Sequence, residues 1–189
     1  MRVRLGGAGA AGYGAALALI AFLSGIGIGD RTGVRTAQAD SARFVPWTRA
    51  ETPSLSLKDL NGAVHQLADY RGRVVLVNFW ATWCEPCRDE MPSMQRLKET
   101  FAGQTFEVLA VNYGENPPRV REFVERERLR LVVLLDPGQE TAKAWRVRVL
   151  PGSYLIGRDG RVRYSVIGEL DWATETAVSV VRGLLTTGR

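Results

Sequence analysis

The sequence predicts an α/β fold, a central mixed β-sheet flanked by helices. Three observations carry that reading. Apolar runs short enough for buried strands alternate with stretches of helical periodicity. Hairpin signals stand at both ends of that alternation, which adds antiparallel strands to a parallel centre. The run just before the cysteines, Val74-Val75-Leu76-Val77-Asn78-Phe79, has the continuous apolar character of a buried strand.

Taken in order, Pro53 to Leu57 alternates as a strand, and Asn61-Gly62 supplies a hairpin turn. Ala63 to Leu67 is the return strand, and Asp69 to Gly72 is a second turn into the central strand. A helix is expected from Glu85 to Phe101, with Pro92 removing one internal bond. Phe106 to Val111 reads as the next strand, and Asn116-Pro117-Pro118 opens a charged helix through Arg128. Leu131 to Leu135 is a further strand, closed by Asp136-Pro137-Gly138, and a short helix covers Glu140 to Trp145. Tyr154-Leu155-Ile156 and Val162 to Ile167 pair across Arg158-Asp159-Gly160. Asp171 is the expected cap of a last helix through Leu185.

The chain's 189 residues fit one domain plus an extra segment. Its net charge of +5 is concentrated at one end: residues 1–39 carry four arginines against one aspartate. No basic stripe with interleaved aromatics marks a nucleic-acid surface, so no nucleic-acid partner is expected. Arg2 and Arg4 precede an uncharged stretch from Leu5 to Gly29, the pattern of an export signal. Residues 1–29 are expected to act as a signal-anchor that holds the protein to the membrane, with Arg2 and Arg4 on the cytoplasmic side. The alternative is a signal peptide cleaved after Ala37-Gln38-Ala39, which frees a secreted form. Either way the globular part works outside the cytoplasm, in the periplasm or on the outer face of the membrane. Residues 30–52 are expected as a flexible tether, and 53–189 as the folded domain.

Both cysteines, Cys84 and Cys87, lie two residues apart where the central strand gives way to a helix. A Cys-x-x-Cys in that position is a redox dithiol. A thiol attacks only as its thiolate, and the unpaired N–H groups of a helix's first turn favour negative charge there. Cys84, just ahead of the helix, is the expected nucleophile, and Cys87, one turn on, resolves the mixed disulfide. Pro86 suits a first turn, where its missing N–H leaves no bond unmade. A structural zinc site needs four ligands, and the only other soft donor is His65, which is expected at the surface. A redox-active Cys84–Cys87 disulfide is the expected centre, with no cofactor and no metal.

These pieces together resemble the thioredoxin superfamily, in its exported TlpA/ResA/CcmG-like group of thiol-disulfide oxidoreductases. The matching blocks are Ala68 to Arg73, Val77 to Cys87, Val108 to Asn112, and Leu150-Pro151 through Asp159-Gly160. The resemblance spans about residues 53–185 and implies a thioredoxin-like fold with an N-terminal β-hairpin extension. It implies that Pro151 is the fold's cis-proline, whose loop lies against the dithiol and presents backbone to a client. Leu150 before it and Gly152-Ser153 after it depart from the small hydroxylated residues common there in the group. The resemblance also assigns Glu90 to proton handling beside Cys87, since Asn78 stands where thioredoxin has a buried aspartate. Trp83, Glu85, Pro86 and Leu150 are the expected client-contacting residues, and Trp80 is expected to share an apolar rim around Cys84 with Trp83.

The implied activity is disulfide reduction in apocytochrome c or copper-site proteins, with electrons from a membrane thiol-disulfide carrier. Two alternatives stay open in the sequence. One reverses the flow and makes the protein an oxidant of exported proteins. The other, a copper-binding chaperone, uses the two thiolates as soft ligands but lacks a Met- or His-rich third donor near the motif.

Overall fold

The computed structural model describes residues 43–187. The expected signal-anchor, the candidate cleavage site and the first part of the tether lie outside the described residues. Among the described residues, no helix is long and apolar enough to cross a membrane.

Among the described residues, eight strands form one mixed sheet. They are β1 (Val45–Pro46), β2 (Ser56–Asp59), β3 (Val64–Gln66), β4 (Val74–Trp80), β5 (Phe106–Tyr113), β6 (Val132–Asp136), β7 (Gly152–Ile156) and β8 (Val162–Ile167). Their spatial order is β1-β8-β7-β4-β5-β6-β2-β3. β4, β5 and β6 run parallel, while β7 and β8 on one side and β2 and β3 on the other are antiparallel. The helices are α1 (Glu85–Thr100), α2 (Pro117–Arg126), α3 (Glu140–Ala144) and α4 (Glu175–Thr186).

The side-chain period of two divides β4 between two cores. Val74, Leu76 and Trp80 join the core built with Met91, Met94 and Leu97 of α1, Val120 and Phe123 of α2, and Ala177 and Val181 of α4. Val75, Val77 and Phe79 face the other way, towards Ala142, Trp145 and Tyr154. Asn78 falls on the first face by the same alternation, beneath α1.

Several expected boundaries move, each for a local reason. The hairpin strands shift to Ser56–Asp59 and Val64–Gln66, because Asp59 Oδ1 accepts the N–H groups of Asn61 and Ala63 and so makes Asp59 the pivot of the turn. Gly62, at φ 88°, supplies the left-handed position that the turn requires. Leu67–Tyr70 is a 3-10 turn, not the end of a strand, closed by reciprocal bonds between Gln66 and Asp69. Asp171 does not cap α4. Its carboxylate accepts the Ala173 N–H, and Thr174 caps the helix by accepting from Ala177. The tether is shorter than expected at its C-terminal end. Val45 and Pro46 pair with Ser165 and Tyr164 on β8, the Trp47 N–H donates to the Arg163 carbonyl, and Trp47 packs edge-on against Tyr154. Residues 43–47 thus finish the sheet edge that β8 would otherwise leave open.

Candidate active site

β4 ends at Trp80, and residues 81–83 carry the chain to Cys84, the N-cap of α1. Cys84 and Cys87 are joined in a disulfide. The Cys87 backbone N–H donates to Cys84 Sγ at 3.3 Å, so a first-turn donor of the helix points at that sulfur. Pro86 occupies the first turn, where it forfeits no bond. The two sulfur-bearing residues differ in access: Cys84 is 6% exposed and Cys87 is fully buried. Trp83, the residue before Cys84, is 60% exposed, and Glu85 and Pro86 between the cysteines are exposed as well.

Trp80 does not form a rim. It is fully buried and packs against Phe123 at 5.2 Å between ring centroids, because even-numbered β4 residues point into the core under α1.

The Leu150–Pro151 peptide is cis, as the resemblance implies. Gly152 pairs with Phe79 across β7 and β4, which brings Pro151 beside the end of the strand that leads to Cys84. The Pro151 carbonyl accepts from the Gly168 N–H at 2.9 Å, tying the proline loop to the end of β8. Leu150 packs partly buried against both cores. A side chain at Gly152 would press on the Val149 carbonyl at 3.3 Å, so the residue after the proline stays small.

Glu90 lies three residues after Cys87 on α1 and is 1% exposed. Asn78 Nδ2 donates to its Oε1 at 2.6 Å, and the Leu170 N–H donates to its Oε2 at 3.1 Å. Burial pushes the Glu90 carboxyl up to about 8, with a smaller contribution from the like charge of Glu169. The two hydrogen bonds oppose that rise, as does the nearby Trp172 indole, which makes no hydrogen bond of full geometry among the described residues. A carboxyl poised there can take or give a proton near neutral pH.

Sequence reasoning missed a second cluster, on the other side of the loop. Glu115 accepts from the Thr82 N–H at 2.7 Å and from the Thr82 hydroxyl at 2.5 Å. Asn112 Nδ2 and Arg119 Nε also converge on its carboxylate, at 2.8 and 3.0 Å. Arg119 Nε lies 2.9 Å from Thr82 Oγ1 as well. The residue two places before Cys84 is therefore pinned by a nearly buried carboxylate more than thirty positions away. Its only signal in the sequence is an acid two residues past the end of a strand that abuts the dithiol strand.

His65 lies away from the dithiol, stacked on Tyr70 and within hydrogen-bond reach of its hydroxyl and of Asp59. Among the described residues, no three His, Cys, Asp or Glu side chains converge as a metal site.

The AhpC/TSA family pattern matches residues 48–165. The chain is 41% identical to the thiol-disulfide oxidoreductase ResA of Geobacillus thermodenitrificans over 118 residues, 62% of this chain and 68% of that protein. It is 34% identical to ResA of Bacillus subtilis over 139 residues, 74% of this chain and 76% of that protein. Among solved structures, a thioredoxin-family thiol:disulfide interchange protein from Chlorobium tepidum superposes with a TM-score of 0.63 at 27% identity, covering 76% of this chain and 98% of that one.

Proposed function

The chain belongs to the AhpC/TSA family and is a thiol-disulfide oxidoreductase of its thioredoxin-like, ResA-related group, and from that premise we propose that it works outside the cytoplasm as a reductant of protein disulfides. The Cys84 thiolate attacks one sulfur of a client disulfide. A mixed disulfide forms, and the client's other sulfur leaves as a thiolate and takes a proton. Cys87 then gives its own proton to the Glu90 carboxylate and attacks Cys84 Sγ. The Cys84–Cys87 bond closes, and the client departs with two electrons and two reduced sulfurs. Pro151 and Leu150 line the docking edge, with Trp83, Glu85 and Pro86 on the facing side.

The observation that carries this reading is the first-turn N–H of Cys87 aimed at the more accessible sulfur, Cys84 Sγ. That arrangement stabilises a thiolate at one cysteine and not the other. We further propose apocytochrome c or copper-site proteins as clients, and a membrane thiol-disulfide carrier as electron donor, by resemblance to the exported members of the group. Residues 1–29 hold the protein at the membrane in this reading.

Equilibration with glutathione tests the direction. A reductant has a potential near or below thioredoxin's value of about −270 mV, and a value well above it makes the protein an oxidant. A Cys87→Ser trap in the native host identifies the client, since Cys84 then holds it as a stable mixed disulfide.

A further inference from the structure

Asn78 is fully buried in the middle of β4, and the two ends of its amide are treated differently. Nδ2 donates twice, to Glu90 Oε1 at 2.6 Å and to Ser153 Oγ at 2.9 Å. Oδ1, although buried, has no hydrogen-bond partner among the described residues. A buried acceptor left bare costs about 1–3 kcal/mol, so a fixed structural amide would be expected to use that oxygen.

Half a turn about χ2 exchanges the oxygen and the NH2 group with little change of shape. Oδ1 would then face Glu90 and Ser153, and both can donate to it once Glu90 carries a proton. The same amide thus fits both forms of Glu90, giving Nδ2–H to the carboxylate and Oδ1 to the acid. Each orientation leaves one group unsatisfied, Oδ1 in the first and Nδ2 in the second. With the costs so balanced, the charge on Glu90 tips the choice.

We infer that Asn78 and Ser153 form a proton-coupled amide pivot, in which Asn78 turns as Glu90 gains or loses its proton and Ser153 anchors the end that faces it. The inference rests on the reading of Glu90 as the proton carrier. Both residues are positioning residues, acting on the dithiol through Glu90. The groups around Glu90 leave the amide in control. Glu169, after β8, is the charged group acting on it, while the Leu170 N–H and the Trp172 indole are neutral, and Cys87 on its own helix is held in the disulfide. Asn78 and Ser153 are paired across β4 and β7, so the pivot needs no backbone movement. Ser153 is two residues past Pro151, and the pivot therefore ties the proton state of Glu90 to the strand that carries the proline loop.

The hydroxyl of Ser153 decides the sign of the test. Ser153 Oγ accepts in the carboxylate orientation, and among the described residues its own hydrogen has no acceptor there. In the acid orientation that hydrogen goes to Oδ1. Ser153 therefore favours the protonated form, and Ser153→Ala should lower the Glu90 midpoint by half a pH unit or more. Asn78→Leu removes the donor to the carboxylate and should raise the midpoint by a unit or more.

The experiment is NMR of the oxidised full chain between pH 5 and 10, following the Glu90 carboxyl carbon and the Asn78 side-chain NH2 together. The expected result is that the NH2 signals move with the midpoint of Glu90, and that the two variants shift that midpoint in opposite directions. NH2 signals that stay still while Glu90 titrates overturn the pivot, as do two variants that shift the midpoint the same way or not at all. Glu90→Gln separates this from the parent reading. If that variant leaves the pH profile of exchange unchanged, the proton-carrier role fails. If it moves the profile while the Asn78 amide stays still, only the pivot fails.

Discussion

Replacing Glu90 with glutamine should abolish a pH dependence of stability whose size follows from the burial of that carboxyl. Folded, Glu90 holds its proton up to about pH 8; in an unfolded chain it releases it near the ordinary 4.5. Between those values the folded state binds one more proton than the unfolded state, so stability falls as pH rises, by about 1.36 kcal/mol per unit. The contribution is complete below pH 4.5 and lost by pH 8. Over that window the loss is roughly 5 kcal/mol, a large share of the 5–15 kcal/mol typical of a domain. Glu90→Gln keeps the shape and does not titrate. The assay is urea unfolding of the oxidised protein, wild type and variant, at pH 4.5, 6, 8 and 9. The two should nearly coincide at pH 4.5, and the variant should lead at pH 9 by about 2 M in midpoint for a slope of roughly 2 kcal/mol/M. Midpoints that stay parallel across the series would refute the reasoning, because Glu90 would then titrate alike in both states.

Other substitutions separate core from rim. Trp80→Ala empties a fully buried site against Phe123 and should cost about 3–5 kcal/mol in the same unfolding assay. Trp83→Ala should change stability by no more than about 0.5 kcal/mol, yet weaken exchange with a protein disulfide more than with a small one, read from the two values of kcat/KM. Glu115→Gln takes an acceptor from Thr82 and a counter-charge from Arg119; it should cost about 1–3 kcal/mol and slow alkylation of reduced Cys84 as the loop loses its anchor.

The dithiol was legible from its own Cys-x-x-Cys spacing at a strand–helix junction, whereas Glu90 and Pro151 were singled out only through the family resemblance. The faces of β4 were not legible: all seven residues are buried, so the run has no polar side from which to read the alternation. That is why Trp80 read as a rim residue, and why the position of Asn78 under α1 emerged only from the packing. β1 was hidden for a different reason. Two residues, one of them proline, have no periodicity, and the strand exists only through its pairing with β8. Asp171 was read as the cap of α4, but its carboxylate accepts the Ala173 N–H within the preceding turn, and Thr174 caps the helix instead. Glu115 drew no notice in the sequence, because its burial is created by Thr82, Asn112 and Arg119 meeting in space.

The central claim is that a helix start makes one sulfur of the pair reactive while the other waits beneath it. Brief treatment of the fully reduced protein with substoichiometric iodoacetamide at pH 7, followed by peptide mass spectrometry, tests it directly. The label should fall on Cys84 and leave Cys87 free. Label on Cys87, or labelling of both at equal rates, would contradict it.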